Sequence, residues 1–489
     1  MCGFIGVYAP DGSDVFPEIY NALLAVQHRG QDAAGIVTAT ESFHSEKGPG
    51  LVRDIFDEES AKKLRGPLGI GHVRYPTVGT GIAEDVQPFL TVIPTGVAMA
   101  HNGNVTNFLE LKGKYFPKRG VRLASACDLE AILYIFALEY AKMDVHTAAP
   151  ERVFKAIKGV YDVVHGAYSV VGIFAEGGLF AFRDPFGIKP LVMGERDTEK
   201  GKSYAFASES AALDAIGYKV LRDLDAGEAV FIDTERKLHS RKISNQPHRP
   251  CIFELVYFAR PDSFLDNVSV SRARVRFGEA LGERWKQDDG PPVDAVIPIP
   301  ETACTAAQAM ARVLGVPYRE GLVKNRYVGR TFIMPSQKKR QDAIRRKLNP
   351  IKLEFEGKRV LLVDDSVVRG NTARALVKLA RDAGATFVGF ASTSPPLISP
   401  CPYGIDMATK KEFIARGRTV DEVRQELGAD FLSYLQLEEM EAAARKGNDK
   451  IERFCSACFT GNYPTGDITT EMLTAIENER LESRETSGV

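Results

Sequence analysis

From about Asp294 the chain alternates between β-branched apolar runs and stretches of helical spacing. Val293 to Ile299 is the first such run, and Ala303 to Leu314 follows with helical periodicity that stops at Gly315. Val360 to Val363 is a second buried-strand run. It leads through a loop to a helix over Ala373 to Ala383, closed by Gly384, and then to a third strand at Thr386 to Ala391. Strands separated by helices pair in parallel, so this half predicts a parallel α/β sheet.

Before about Asp233 the texture differs. Short strand-like runs, among them Gly3 to Tyr8, Ala167 to Phe174 and Leu179 to Arg183, are separated by turns rich in Gly, Pro and Asp. Helices are few here; one is expected around Asp128 to Ala141. The stretch Ser240 to Ser263 carries Pro247, Pro250 and Pro261 and is the expected connection. The expected division is a first domain over 2–235, a second over 260–465, and a C-terminal helix or flexible tail over 466–489.

Composition excludes several classes. Across 489 residues, 63 Lys+Arg balance 64 Asp+Glu, which argues against a broad nucleic-acid-binding face. At 44% hydrophobic and 26% charged, the chain is a globular protein rather than a disordered one. No apolar run reaches the ~18 residues of a membrane span, and the first residues lack the basic start of a signal peptide. The expectation is a soluble cytoplasmic protein with no membrane partner.

The seven cysteines, Cys2, Cys127, Cys251, Cys304, Cys401, Cys455 and Cys458, are odd in number and sparse, unlike a secreted disulfide framework. If Met1 is removed, Cys2 becomes the first residue. An α-amino group of pKa ~8 then sits beside a thiol of pKa ~8.5 and can serve as its base. For Met-Cys alone, a small buried cysteine opening a strand is the plainer reading.

Company further along changes that balance. Cys2-Gly3, the run Gln27 to Gly35 containing Gln-His-Arg-Gly-Gln-Asp, Gly71 to Thr77, and His101-Asn102-Gly103-Asn104 together resemble the glutaminase domain of class II, N-terminal nucleophile, glutamine amidotransferases. The resemblance implies that Cys2 is the nucleophile and that the Asn102 side chain and Gly103 N–H form an oxyanion hole. It further implies that Arg74 pairs with the glutamine carboxylate, that Asp128 accepts from its ammonium, and that Gly30 lies near the thiol. Singly, Arg74 and Asp128 could be surface ion-pair members and Asn102-Gly103 a turn. As an ordered set headed by Cys2 they favour a glutamine site. With only Met1 ahead of Cys2, activation is expected to need no more than its removal.

A second constellation is Val360 to Thr372, a buried strand running into Asp364-Asp365, then Ser366, Gly370, Asn371 and Thr372 before a helix. Parallel sheets bind ligands at the carboxyl ends of their strands, where a helix N-terminus offers unpaired N–H groups to an anion. Two acids beside a phosphate need ribose hydroxyls or Mg²⁺ to face. A helix cap or a phosphorelay-like metal pair is the alternative. The loop resembles the phosphoribosyl pyrophosphate (PRPP) signature of type I phosphoribosyltransferases, which usually has Thr where this chain has Asn371. By the same resemblance Thr302, in Ile297 to Thr302, joins Asp364 and Asp365 around Mg²⁺. Lys324 to Phe332 and the basic run Lys338 to Lys347 would form a lid over pyrophosphate. A solvated helix face is the alternative for the basic run.

Cys455-x-x-Cys458 alone suits zinc, a redox pair or a cluster. Its context, with that of Cys401 and Cys251, resembles the iron–sulfur-bearing branch of the amidophosphoribosyltransferase family, which implies four thiolates around a [4Fe–4S] cluster. Zinc is the alternative; Cys127 and Cys304 are expected to be buried structural residues. The resemblance spans Cys2 to about Pro464. It implies an αββα sandwich followed by a type I phosphoribosyltransferase α/β domain, glutamine and PRPP as substrates, one Mg²⁺ per subunit, and a homotetramer inhibited by purine nucleotides. Two rivals stand beside it. One is a glutaminase acting alone or coupled to another sugar pyrophosphate, kept open by Asn371. The other is a non-enzymatic nucleotide-sensing regulator, disfavoured by intact Cys2, Arg74, Asn102 and Asp128.

Overall fold

The computed structural model describes residues 2–10, 12–75, 83–144, 149–325, 348–405, 407 and 409–486. Met1, Pro76-Thr77 of the third glutaminase motif, and residues 326–347, which hold most of the expected lid, lie outside the described residues.

The first half is two antiparallel sheets, stacked. One has the strand order Lys219–Asp223, Val192–Thr198, Gly201–Ala207, Gly3–Tyr8, Leu68–Arg74, Ala33–Ala39, Phe43–Pro49. The other runs Leu238–Lys242, Glu228–Ile232, Leu179–Arg183, Gly166–Phe174, Val97–Val105, Phe89–Thr91. Alternate side chains explain the layering. Phe4, Val37 and Ile70 from the first sheet meet Ala98, Ala100, Val171 and Leu179 from the second. Ile5, Val7, Ile36 and Val73 point the other way, onto Ile19 and Leu23 of the helix Phe16–Ala25. On the far side, Val97, Met99, Val170 and Phe180 pack against the helices Leu129–Ala141 and Ala149–Val163, with Phe136 stacked on Phe180 at 5.0 Å. Central strands covered on both faces read as continuous apolar runs, and every residue of Gly3–Tyr8 and Leu179–Arg183 is buried. The sandwich is therefore αββα.

In the second half, the strands Ala295–Pro298, Arg359–Asp364, Phe387–Ser392 and Phe431–Tyr434 lie in that order, all parallel. Leu361 and Val363 face Phe277, Leu281, Trp285 and Met310 of the helices Val270–Gln287 and Cys304–Leu314. Val360 and Leu362 face Leu376 and Val377 of the helix Asn371–Asp382. The first two helices touch closely because residue 278 is glycine: a Cβ there would lie 2.0 Å from Ala306 O. Ile19, Leu23, Ile252, Leu255 and Phe277 belong to one continuous cluster, so the halves share a hydrophobic core. Buried Arg183 adds a paired contact, donating to both carboxylate oxygens of Asp266 at 2.6 and 2.9 Å. The C-terminal segment contains the helix Thr470–Thr486. Among the described residues no helix is long and apolar enough to cross a membrane. One expectation is corrected: Cys127 is buried, but Cys304, on the first turn of its helix, is only partly so.

Candidate active site

Cys2 opens the strand Gly3–Tyr8, and its backbone N donates to Asn102 Oδ1 at 3.2 Å. Asn102 lies on Val97–Val105, in the opposite sheet, so this bond bridges the sandwich where Cys2 sits. With Oδ1 engaged as acceptor, the amide's donor is Nδ2, which is buried and has no partner among the described residues. An unmet buried donor costs about 1–3 kcal/mol, and an oxyanion would satisfy it. The next residue must be glycine, because a Cβ on Gly103 would fall 2.0 Å from Ala167 O. The Cys2 thiol is directed at Tyr75 O, 3.7 Å away. Gly30 presses on the backbone of Arg74, where a Cβ would lie 2.6 Å from its N, and Gly30 O accepts from Gln27 Nε2 at 2.5 Å.

Arg74 and Asp128, each readable in isolation as a surface charge, are both buried. The Arg74 guanidinium stands 3.6 Å from Asp85 Oδ2. Asp128 precedes the helix Leu129–Ala141; its Oδ2 accepts from Val105 N at 2.7 Å and its Oδ1 faces His101 Nε2 at 3.4 Å. Burial pushes the Asp128 carboxyl up, but its polar surroundings, the Val105 N–H among them, outweigh it and hold the group below the usual carboxylate range. A cation-bearing residue and a carboxylate are thus fixed at the same end of the sandwich as Cys2, Asn102 and Gly103.

Sequence reasoning missed the support beneath Cys2. Arg29, fully buried, donates from Nε to Cys2 O at 3.0 Å, from one terminal nitrogen to Glu209, and from the other to both oxygens of Glu254 at 2.8 and 3.1 Å. Glu209 also accepts from His28 Nε2 at 2.8 Å, Arg260 N at 2.9 Å and Ser263 Oγ at 2.8 Å. Burial pushes the Glu209 carboxyl up, and Arg29 and His28 more than reverse it, leaving it well below the usual range. Arg29 and His28 were in the quoted motif; partners 180 and 225 residues away have no local signal.

The phosphate loop forms at the carboxyl end of the strand Arg359–Asp364. Asp365 N donates to Asp364 Oδ1 at 2.9 Å, Ser366 Oγ to Asp365 Oδ1 at 2.6 Å, and Thr302 Oγ1 to Asp365 Oδ2. Burial and the neighbouring Asp365 raise the Asp364 carboxyl well above its ordinary value; burial raises Asp365 too, against Ser366, Thr302 and Arg274. Gly370 precedes the helix Asn371–Asp382 at φ +73°, and a Cβ there would meet Ile414 Cδ1 at 2.2 Å. Asn371 and Thr372 are exposed on the first turn, whose N–H groups have no intrahelical partner. The structure therefore brings Thr302, Asp364, Asp365, Ser366 and Gly370 to Thr372 to one end of the sheet.

Cys251, Cys401, Cys455 and Cys458 are buried and in no disulfide. Cys251 and Cys455 form a parallel bridge, with Cys455 N donating to Pro250 O at 2.9 Å. Cys458 O accepts from Ile398 N at 3.0 Å and Ser399 N at 3.1 Å, which draws in the segment leading to Cys401. Burial pushes the Cys251 thiol up to about 12, and the neighbouring Cys401 adds to it. Cys458 is raised well above its ordinary value by burial and by Cys251, Cys401 and Cys455. The four thiols thus converge, although among the described residues no three His, Cys, Asp or Glu side chains stand where they could hold one metal ion.

Comparison with known proteins accounts for both ends of the molecule. Residues 72–215 match the glutamine amidotransferase domain and residues 278–394 the phosphoribosyl transferase domain. The chain is 46% identical to the amidophosphoribosyltransferase of Escherichia coli K12, covering 98% of this chain and 96% of that one. It is 44% identical to that of Saccharomyces cerevisiae, covering 95% and 93%. The solved glutamine PRPP amidotransferase from B. subtilis, complexed with ADP and GMP, superposes with a TM-score of 0.83 at 37% identity over 95% of this chain and 97% of that one. With both domain matches in place and relatives of 44–46% identity aligned nearly end to end, this chain belongs to the amidophosphoribosyltransferase family.

Proposed function

We propose that this protein takes ammonia from glutamine at Cys2 and delivers it to C1 of PRPP, the amidotransfer step of purine biosynthesis. The observation that supports this most is the Cys2 N to Asn102 Oδ1 bond, which leaves Asn102 Nδ2 buried and unmet beside the nucleophile. With Met1 removed, the Cys2 amine takes the thiol proton, sulfur attacks the glutamine amide carbon, and Asn102 Nδ2 and the Gly103 N–H stabilise the oxyanion. The C–N bond breaks, the proton leaves with ammonia, and water hydrolyses the thioester to glutamate. Arg74 holds the substrate carboxylate and Asp128 its ammonium; Gly30 shapes the floor beside Arg74. Ammonia then attacks C1, pyrophosphate leaves with the C1–O electron pair, and loss of a proton gives 5-phosphoribosylamine.

Ser366, Gly370, Asn371 and Thr372 cradle the 5′-phosphate. Thr302, Asp364 and Asp365 suit Mg²⁺, since two adjacent carboxyls raised by burial, Asp364 also by Asp365, gain from a divalent cation. That ion would neutralise charge on the pyrophosphate. Cys251, Cys401, Cys455 and Cys458, all buried and in no disulfide, would supply the four thiolates of a [4Fe–4S] cluster, with zinc as the alternative. The division at residues 235–260, the homotetramer, inhibition by purine nucleotides and a cytoplasmic location belong to the same reading. The B. subtilis relative was solved with ADP and GMP.

The test is glutamate and pyrophosphate release by anaerobically purified protein with glutamine and Mg²⁺, with and without PRPP. PRPP-stimulated glutamate matched by pyrophosphate supports the reading. Glutamate release indifferent to PRPP, with no pyrophosphate, refutes coupled transfer. Cys2→Ala should lose glutamine use while keeping ammonia-dependent synthesis.

A further inference from the structure

Gln87 lies two residues after Asp85, in the segment that follows the short turn Ala83–Asp85, and is 2% exposed. Its Oε1 accepts from His101 N at 2.9 Å, and its Nε2 lies 2.9 Å from His101 Nδ1. The first bond settles the second. A backbone N–H only donates, so Oε1 is the atom facing it, and the amide's NH₂ must be the atom facing the ring. An NH₂ group has no lone pair to offer, so Nδ1 must accept. The ring proton is then on Nε2, which lies 3.4 Å from Asp128 Oδ1 and has no formed hydrogen bond among the described residues.

We propose that Gln87 is a positioning residue for glutamine binding: it locks His101 as the neutral Nε2–H tautomer, so that Asp128 keeps its full negative charge for the substrate ammonium. This rests on the function proposed above. A neutral ring beside the carboxylate, itself oriented by the Val105 N–H, leaves its charge to the ammonium; an imidazolium would compete with the ammonium for it. The surroundings of His101 fit the lock. His72 Nε2 lies 3.1 Å from His101 O, and Cys127 Sγ lies 3.5 Å from Gln87 Nε2. Cys127 is raised by burial and by Asp128, which keeps it a thiol and not a second anion beside the site. The same short segment serves both ends of the substrate, because Asp85 stands 3.6 Å from Arg74 and also accepts from Ala126 N at 2.9 Å. The buried stretch Asp85 to Gln87 thereby sets the carboxylate reader through Asp85 and the ammonium reader through Gln87.

The test replaces the clamp's polarity while keeping its shape. In the full-length Gln87→Glu variant a carboxylate faces Nδ1, so the ring gains a proton there and Asp128 acquires a cationic neighbour. The KM for glutamine should rise by about 10- to 100-fold, the worth of a charge-assisted hydrogen bond, while kcat falls by less than about threefold. Ammonia-dependent synthesis at the other site reports whether the variant is folded. The ring state is read by nitrogen NMR of ¹⁵N-histidine-labelled protein, with His101 assigned by its loss in His101→Asn. Wild type should show protonated Nε2 and bare Nδ1, and Gln87→Glu two protonated nitrogens. If Gln87→Glu does not fold, Gln87→Met, which removes the clamp without adding charge, should show mixed tautomers and a smaller rise in KM. A wild-type ring protonated at Nδ1, or an unchanged KM in a folded variant, overturns the proposal. The spectrum requires no turnover, so a correct tautomer in a wild-type protein that cannot hydrolyse glutamine would overturn the functional reading instead.

Discussion

Replacing Arg29 with Met would remove the buried guanidinium beneath Cys2 while keeping an unbranched apolar stem. Glu209 would retain His28, the Arg260 N–H and Ser263, but the Glu254 carboxylate would lose both of its hydrogen bonds from Arg29. Stripping one partner from a buried ion pair costs about 3–5 kcal/mol, and the lost bond to Cys2 O adds about 1 kcal/mol. The expected deficit at neutral pH is therefore about 4–6 kcal/mol. Its pH dependence has a definite sign. Glu209 is held below its ordinary value in the native protein, so its contribution is present above the unfolded pKa and fades as pH falls through the native one. Without Arg29 that depression largely goes, so the gap between variant and wild type should narrow as the solution is acidified below about pH 4.5. Urea unfolding followed by two probes gives the assay. Trp285, the chain's single tryptophan, is buried in the second half with its ring 4.8 Å from Phe431, and far-UV circular dichroism sees both halves. Because Arg29 reaches Glu254 and the halves share a core, both signals should shift together. A deficit under about 1 kcal/mol, or a dichroism shift with the Trp285 midpoint unmoved, would refute the reasoning.

Gly404→Ala should lower glutamine-dependent turnover by tenfold or more and cost about 1–3 kcal/mol, because a Cβ there would lie 2.7 Å from Gly103 O; steady-state kinetics and thermal melts check both. Asn371→Thr should change the KM for PRPP by less than about threefold, since the exposed side chain leaves the loop's N–H groups in place, and initial-rate measurements would expose a larger effect. Cys455→Ser should abolish the visible absorption of anaerobically purified protein and lower its thermal stability; zinc in place of iron by metal analysis of the wild type would contradict the cluster.

Local pattern carried the second half of the fold. The expected strands and helices there fall within two or three residues of Ala295–Pro298, Cys304–Leu314, Arg359–Asp364, Asn371–Asp382 and Phe387–Ser392, because each βα unit declares itself by a change of period and a closing glycine. Gly3–Tyr8 and Leu179–Arg183 were equally plain, yet which strand lies beside which was not, since sheet neighbours such as Gly3–Tyr8 and Gly201–Ala207 are far apart in sequence. The same divide runs through the site. Cys2, Arg74, Asn102 and the Asp364-Asp365 loop sit in short runs of distinctive chemistry and Asp128 was named by resemblance alone, whereas Gln87, Glu209 and Glu254 look ordinary until folding places them against His101 and Arg29. Cys304 misled because a cysteine in an apolar helical run is usually core, and this one lies toward the helix's open side, near Tyr318.

Gly404 comes three residues after Cys401, and Asn104 Nδ2 reaches across to Pro402 O at 2.7 Å, so the strand that holds Asn102 and Gly103 leans directly on a cysteine-bearing loop. That contact sets an order of failure. Oxidative damage that loosens Cys401 should first deform the wall behind the Asn102-Gly103 turn, while the loop after Asp364 is also anchored on the parallel sheet by Thr393 against Asp364 and Asp365. An ageing population of this protein should lose its use of glutamine before its use of free ammonia.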